Sequence, residues 1–332
     1  MVMQTTSRVR TAAACAGAAV LMCTAIAGTP AQAREFPVKP IRLIIPFPPG
    51  GSNDVLGRYL GIRLTERFGQ QIVIDNRGGA NGIIAADLAA HADPDGHTLL
   101  FVSTSWVMNA ALRPLPYDVE KSFDPIATIG TSPNSIVVNP GWGVGNVKEL
   151  VARAKAKPGS ISYGSTGVGG FNHFAGEMFK LITGVNLVHV PYKGGGPAMI
   201  DVVAGQIPMM FTSVLQALPL ARQGKLKFIV VGSRKRSPVL PDVPTGAESG
   251  YPDYDVSVWW GIAAPRGVPA PAMDRLHKEI TAVLDDPRTH KRLMADASEP
   301  LSMTRSEFRK LISDDIRKWT GVAKRANIVV SK

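Results

Sequence analysis

Three glycine-rich segments carry the residue types with which a polypeptide backbone can hold an anion. They are Pro46-Phe47-Pro48-Pro49-Gly50-Gly51-Ser52-Asn53-Asp54, Gly164-Ser165-Thr166-Gly167-Val168-Gly169-Gly170 and Tyr192-Lys193-Gly194-Gly195-Gly196-Pro197. Each stands where a strand-like apolar run gives way to a helix-like one. Each therefore presents unpaired backbone N–H groups at a helix start, where the helix dipole adds to the attraction for negative charge. Glycine lets a ligand approach those amides closely. One such loop is usually no more than a tight turn; three in one chain point to a ligand. The first two loops contain no Lys or Arg. An anion there is expected to be met by N–H donors and hydroxyls, with Lys193 as the nearest cation.

Other chemistry lacks its residues. No segment has P-loop spacing, and Gly167-Val168-Gly169-Gly170-Phe171-Asn172 ends on asparagine where a dinucleotide fingerprint needs a small residue. There is no G-x-S-x-G elbow and no H-E-x-x-H. His91, His97, His173, His189, His277 and His290 show no paired ligand spacing on a helix. The only cysteines, Cys15 and Cys23, lie near the N-terminus, so removal of that segment would leave no thiol. No catalytic residue, cofactor or metal site is expected. His173 adjoins the second loop and either touches the ligand or makes a local hydrogen bond; the residues leave both open. Of the adjacent Trp259 and Trp260, one is expected in the core, while the other, pointing oppositely along a strand, is expected to face the ligand. Trp260 is taken as that candidate.

The elements that must position these loops alternate in the manner of an α/β protein with mainly parallel sheets. Strands are expected at 41–45, 71–75, 98–103, 161–163, 187–190, 209–211 and 228–231, and helices at 55–68, 82–91, 174–182, 198–204, 272–284 and 307–326. Two long runs without helical period, 124–139 and 256–264, read as crossings between domains. The expected architecture is two α/β lobes joined by two crossing strands, with a ligand cleft between them. Residues 34–130 and 256–332 would form lobe 1, and 131–255 an inserted lobe 2.

The N-terminus has a basic start (Arg8, Arg10), an uncharged alanine-rich stretch and Ala31-Gln32-Ala33, the small-x-small pattern that a signal peptidase cuts after. Residues 1–33 are therefore expected to be a cleaved signal peptide, giving a periplasmic protein that is not membrane-embedded. With 332 residues, 45% hydrophobic and 19% charged, the chain has material for two ordinary domains. Its net charge of +11 reads as a solvated surface, with no nucleic acid as partner.

The segments PVKPIRLIIPFPPGGSNDVLGR, IDNRGGANG, ADPDGHTLL, YGSTGVGG, VPYKGGGPAMIDVVAGQI and LPDVPTGAESGYPDYDVSVWWGIAAPRGVP, in this order, resemble the Bug family. These are the extracytoplasmic solute-binding proteins of tripartite tricarboxylate transporters. The resemblance implies a type II periplasmic-binding-protein fold, closure about a hinge on a small carboxylate or dicarboxylate, and delivery to transporter membrane subunits by a monomer. It implies ligand contacts at Phe47, Pro48, Gly50, Gly51 and Asn53 of the first loop and Ser165, Thr166, Gly167 and Gly169 of the second. Variable ligand-facing places would include Ser103, Thr104 and Thr212, with Lys193 from the third loop; Trp106 would add an aromatic wall. The second loop departs from the family in having Gly170 where a hydroxyl residue is commoner, so the ligand's far end is open between aliphatic and aromatic acids. Two rivals are a ligand-sensing partner of a membrane sensor kinase and an exported hydrolase using a serine near His173.

Overall fold

The computed structural model describes residues 35–328; the expected signal peptide lies outside the described residues. From Phe36 onward the described residues form one compact unit. Its elements in chain order are β1 (Ile41–Ile45), α1 (Ser52–Phe68), β2 (Ile72–Asn76), α2 (Ile83–Ala90), β3 (Thr98–Ser103), α3 (Thr104–Leu112), β4 (Phe123–Val138), α4 (Val147–Ala156), β5 (Ser162–Ser165), α5 (Phe171–Thr183), β6 (Val188–Pro191), α6 (Gly195–Val203), β7 (Met209–Ser213), α7 (Val214–Arg222), β8 (Lys227–Val231), β9 (Ser257–Pro265), α8 (Ala270–Leu284), α9 (Pro287–Ala295), β10 (Glu299–Pro300) and α10 (Arg305–Arg325).

The β1 run Ile41-Arg42-Leu43-Ile44-Ile45 is apolar on both faces apart from Arg42, the composition of a strand buried within a parallel sheet. Its neighbour α1 buries Leu56, Leu60, Leu64 and Phe68, one residue per turn, and stops at Gly69 in the left-handed region. A Cβ at Gly57 would stand 2.5 Å from Ile45 Cδ1, so glycine lets this helix lie close on the sheet and fixes where its N-terminus points.

Strand order is β2-β1-β3-β9-β4-β7-β5-β6, with β8 and β10 also pairing β4. The sheet is mixed rather than mainly parallel. β1 is parallel to β2 and β3, and β5 is parallel to β6 and β7, whereas the two long strands run antiparallel to their neighbours. The same unit thus occurs twice, a first strand flanked by a second and third and then by an antiparallel long strand. In each copy the loop leaving the first strand carries the glycines, before α1 and before α5. These loops lie at the carboxyl ends of parallel strands, where open α/β sheets bind ligands.

β4 changes partners along its length. Phe123–Pro133 pairs β9, and Asn134–Val138 pairs β7 and β8. Register shifts at Pro125/Ala127 and Thr128/Gly130 increase the local twist there. After β9 the chain returns to α1: Arg67 Nε meets Glu279 of α8 at 2.6 Å, and Arg63 Nη2 meets Asp286, the N-cap of α9, at 2.8 Å.

Candidate functional site

A pocket of about 420 Å³, its open mouth included, is walled by the N-terminal ends of five helices. Gly51, Ser52 and Asn53 come from α1, Ser103 and Ser105 from α3, Phe171 and Asn172 from α5, Gly195 from α6, and Ser213 and Gln216 from α7. Phe47, Thr166 and Val258 complete it. None of these side chains is charged.

Most of these helices start without a side-chain cap, as do α2 and α8 away from the pocket. α1, α5 and α6 begin at Gly51, Gly170 and Gly194, and α3 at Ser103, all without a side-chain capping hydrogen bond. By contrast α4, α9 and α10 are capped by Asn146, Asp286 and Thr304, as helices facing water commonly are. At the pocket only α7 has such a cap, from Ser213. Four helix starts thus turn amide donors and the positive ends of their dipoles toward one place. Three side-chain atoms of the lining, Asn53 Nδ2, Thr166 Oγ1 and Gln216 Nε2, are buried without a hydrogen-bond partner. Two are donor nitrogens and the third is a hydroxyl that donates as readily as it accepts, so the set suits an acceptor-rich ligand.

The surrounding groups hold this geometry. Asp54 Oδ2 accepts from Gly50 N at 3.0 Å, and its Oδ1 accepts from Arg58 Nε and Asn76 Nδ2. Burial works against the Asp54 charge, but these three bonds outweigh it and hold the carboxyl below its ordinary pKa. Arg58 is thereby occupied with Asp54 and Asn76. Trp260 Nε1 donates to Asn53 Oδ1 at 3.0 Å, which leaves Nδ2 facing the pocket. Ser105 Oγ accepts from Phe171 N at 3.1 Å, joining α3 to the start of α5.

Among the residues expected at the site, Phe47, Gly51, Asn53, Ser103 and Thr166 line this pocket. Gly167 and Lys193 line an adjoining one that also contains Phe47 and Thr166. Gly50 and Pro48 shape the first loop without lining either; Pro48 instead packs where a Cβ on Gly194 or Gly78 would fall. Five others stand behind the wall. Thr104 Oγ1 accepts from Trp259 N, and Thr212 Oγ1 donates to Gln216 Oε1. Gly169 N donates to His173 Nδ1 at 3.1 Å, so both hold the second loop in shape. Trp260 is fully buried and reaches the pocket only through Asn53, and Trp259 is buried with its Nε1 on Asp315. Trp106 packs edge-on against Phe123 in the core behind Ser103 and forms no wall of this pocket.

Ser165 is likewise a loop-former. Its hydroxyl is fully buried, accepts from Gly167 N at 3.0 Å and shares a 2.5 Å hydrogen bond with His189 Nε2. The His189 ring stacks on His173 at 3.9 Å. Burial holds His173 down at about 4 and, helped by the His173 ring, His189 down at about 3, so both rings are neutral at pH 7 and supply no cation to the pocket. A serine enclosed in this way does not line the pocket. Ser165→Ala is expected to cost roughly 1–3 kcal/mol of stability, since it orphans the Gly167 amide and His189 together. Binding should change less than about tenfold, because the hydroxyl does not reach the pocket. Chemical denaturation and calorimetry on the one variant check both halves.

Sequence reasoning passed over Ser52, Ser105, Phe171, Asn172, Gly195, Ser213, Val258 and Gln216 as individual contacts. Gln216 had a readable signal, since Ser213-Val214-Leu215-Gln216 has the S-x-x-Q spacing of a capping box and so places both at a helix start. Asn81 also had one: in Gly78-Gly79-Ala80-Asn81-Gly82 it adopts φ +54° and exchanges hydrogen bonds with Asn109.

Residues 56–328 match the family model described as the tripartite tricarboxylate transporter family receptor, TctC. The chain is 34% identical over 308 residues to protein BugT of Bordetella pertussis, covering 92% of this chain and 94% of that one. The structure of R. palustris Rpa4515 with adipate has a TM-score of 0.86 at 32% identity, over 89% of this chain and 99% of the other. MatC from Rhodopseudomonas palustris with bound malate gives 0.82 at 30%, over 86% and 99%. The structure of the periplasmic binding protein BugD gives a TM-score of 0.85 at 32% identity, over 89% of this chain and 99% of the other, and the fold is accordingly that of periplasmic binding proteins of this type. The chain belongs to the tripartite tricarboxylate transporter receptor family.

Proposed function

We propose that this chain is an exported, monomeric receptor that captures a small carboxylate and delivers it to the membrane subunits of a tripartite transporter. The observation that carries the reading is the pocket itself, where four helix starts without side-chain caps and three unpartnered polar groups face one place with no charged side chain among them. Such a set recognises a carboxylate by many directed donors rather than by one cation. Adipate and malate on two relatives are acids of this kind. Residues 34–130 and 256–332 act as one lobe and 131–255 as the other, with β4 and β9 as the hinge between them. Ligand contacts that exist only when the lobes meet, such as Asn53 with Asn172, supply the differential affinity that closure requires. Export follows cleavage after Ala33, placing the receptor in the periplasm.

Screening aliphatic and aromatic mono- and dicarboxylates by thermal shift tests the reading. At a hundred times its dissociation constant a true ligand stabilises the fold by about 2.7 kcal/mol. It is expected back unchanged after denaturation. A panel with no riser, or a ligand converted to product, would refute the proposal.

A further inference from the structure

We infer that Arg113, at the end of α3, with Lys193, in the loop before α6, sets this receptor's preference for a diacid over a monoacid by receiving the ligand's second anionic group. The inference rests on the carboxylate reading and adds the far end of the ligand to it. Beside the first pocket lies a second, about 760 Å³ with its open mouth, which shares Phe47 and Thr166 with it. A ligand whose one end sits among the helix starts and which passes these two residues arrives between Arg113 and Lys193. The lining there contains both cations and no acid.

Arg113 is the more telling of the two. Its guanidinium forms no ion pair among the described residues, its Nε is buried without a partner, and its Nη2 has only a long 3.5 Å contact with Val168 O of the second glycine loop. Burial alone depresses its pKa, with no carboxylate acting in the other direction. Asp118 and Glu120, which border its outer side, are engaged elsewhere, Asp118 with Lys121 and two backbone amides and Glu120 with Ser313. The hydroxyl of Tyr192, the other polar side chain on the Lys193 side, is committed to Asp201. A desolvated guanidinium with idle donors is unfavourable by itself and strongly favourable once a planar or tetrahedral anion takes them. Arg113 precedes β4 and Lys193 follows β6, so one anion held by both spans the two copies of the repeated unit.

The test compares acids matched in length but not in charge, butanoate with succinate and hexanoate with adipate, by calorimetry on the wild type, Arg113→Gln and Lys193→Gln. The wild type is expected to prefer the better-fitting diacid over its monoacid by at least about tenfold. Arg113→Gln should erase that preference while leaving the monoacid within about threefold, and Lys193→Gln should reduce it partly, since Lys193 is exposed and screened. Equal affinity for monoacid and diacid in the wild type would overturn the inference and leave the carboxylate reading standing. So would an Arg113→Gln variant that loses both acids alike, because Arg113 would then serve the loop through Val168. Failure of every acid to bind the wild type would overturn the carboxylate reading as well.

Discussion

Gly195→Val is expected to eliminate carboxylate binding while shifting the melting temperature by no more than a few degrees. Gly195 opens α6 in ordinary backbone geometry, so a side chain there brings no dihedral strain, and valine in the first helical turn costs only tenths of a kcal/mol. The obstacle is the pocket. A Cβ on Gly195 would lie 2.4 Å from Gln216 Nε2 and 2.6 Å from its Oε1. Gln216 can swing away, but it then withdraws one of the unpartnered donors, and the two valine methyl groups take the approach to the α6 amides. Gly167 is a poorer place for this test, because it sits at φ +126° with Tyr192 O 3.3 Å from where a Cβ would stand, and valine there would disturb the loop whatever the ligand does. Calorimetry on folded Gly195→Val decides the matter. Binding within about threefold of wild type would mean that the anion does not rest on the start of α6.

Why the strands were so legible and the pocket only partly so has a common cause. β1 and β3 are apolar runs ended by proline, glycine or a hydroxyl residue, and their observed bounds are the expected ones. The two long strands were visible because 16 residues of β4 and nine of β9 keep an extended pattern without helical period. Four helices were not anticipated. Pro219 inside α7 argues locally against the helix that tertiary packing imposes. α3 is buried without a break from Thr104 to Asn109, so it lacks a polar face there to set a period. α4 and α9 did carry signals, an Asn146 cap with Val147, Leu150, Val151 and Ala154 at helical spacing, and Asp286-Pro287 at a helix start. At the site, glycine loops announce where backbone donors are, but which side chains stand beside them depends on how far each helix start lies from the others. Thr104, Thr212, Ser165 and His173 occupy the right loops and point into their own supports. Asn53 and Thr166 occupy the same loops and point into the pocket.

Asn53→Asp is expected to abolish binding more completely than Asn53→Ala while leaving the fold the more stable of the two. The substitution hardly changes shape, and a carboxylate still accepts from Trp260 Nε1, a bond that alanine would lose at a cost of about 1–3 kcal/mol. It stands at the second residue of α1, where negative charge favours the helix dipole by tenths of a kcal/mol. What changes is the atom that now stands unpartnered toward the pocket, a donor nitrogen in the native protein and an anionic oxygen in the variant. A carboxylate ligand about 4 Å away would meet roughly 4 kcal/mol of repulsion at an effective dielectric constant near 20, about a thousandfold in affinity. Loss of the Nδ2 donor in Asn53→Ala accounts for far less, so the two variants rank oppositely for stability and for binding. Denaturation curves and calorimetry on both give that ranking. If Asn53→Asp bound the ligand as well as Asn53→Ala does, no negative charge would lie near the start of α1, and the site would have to be one for a neutral or cationic solute.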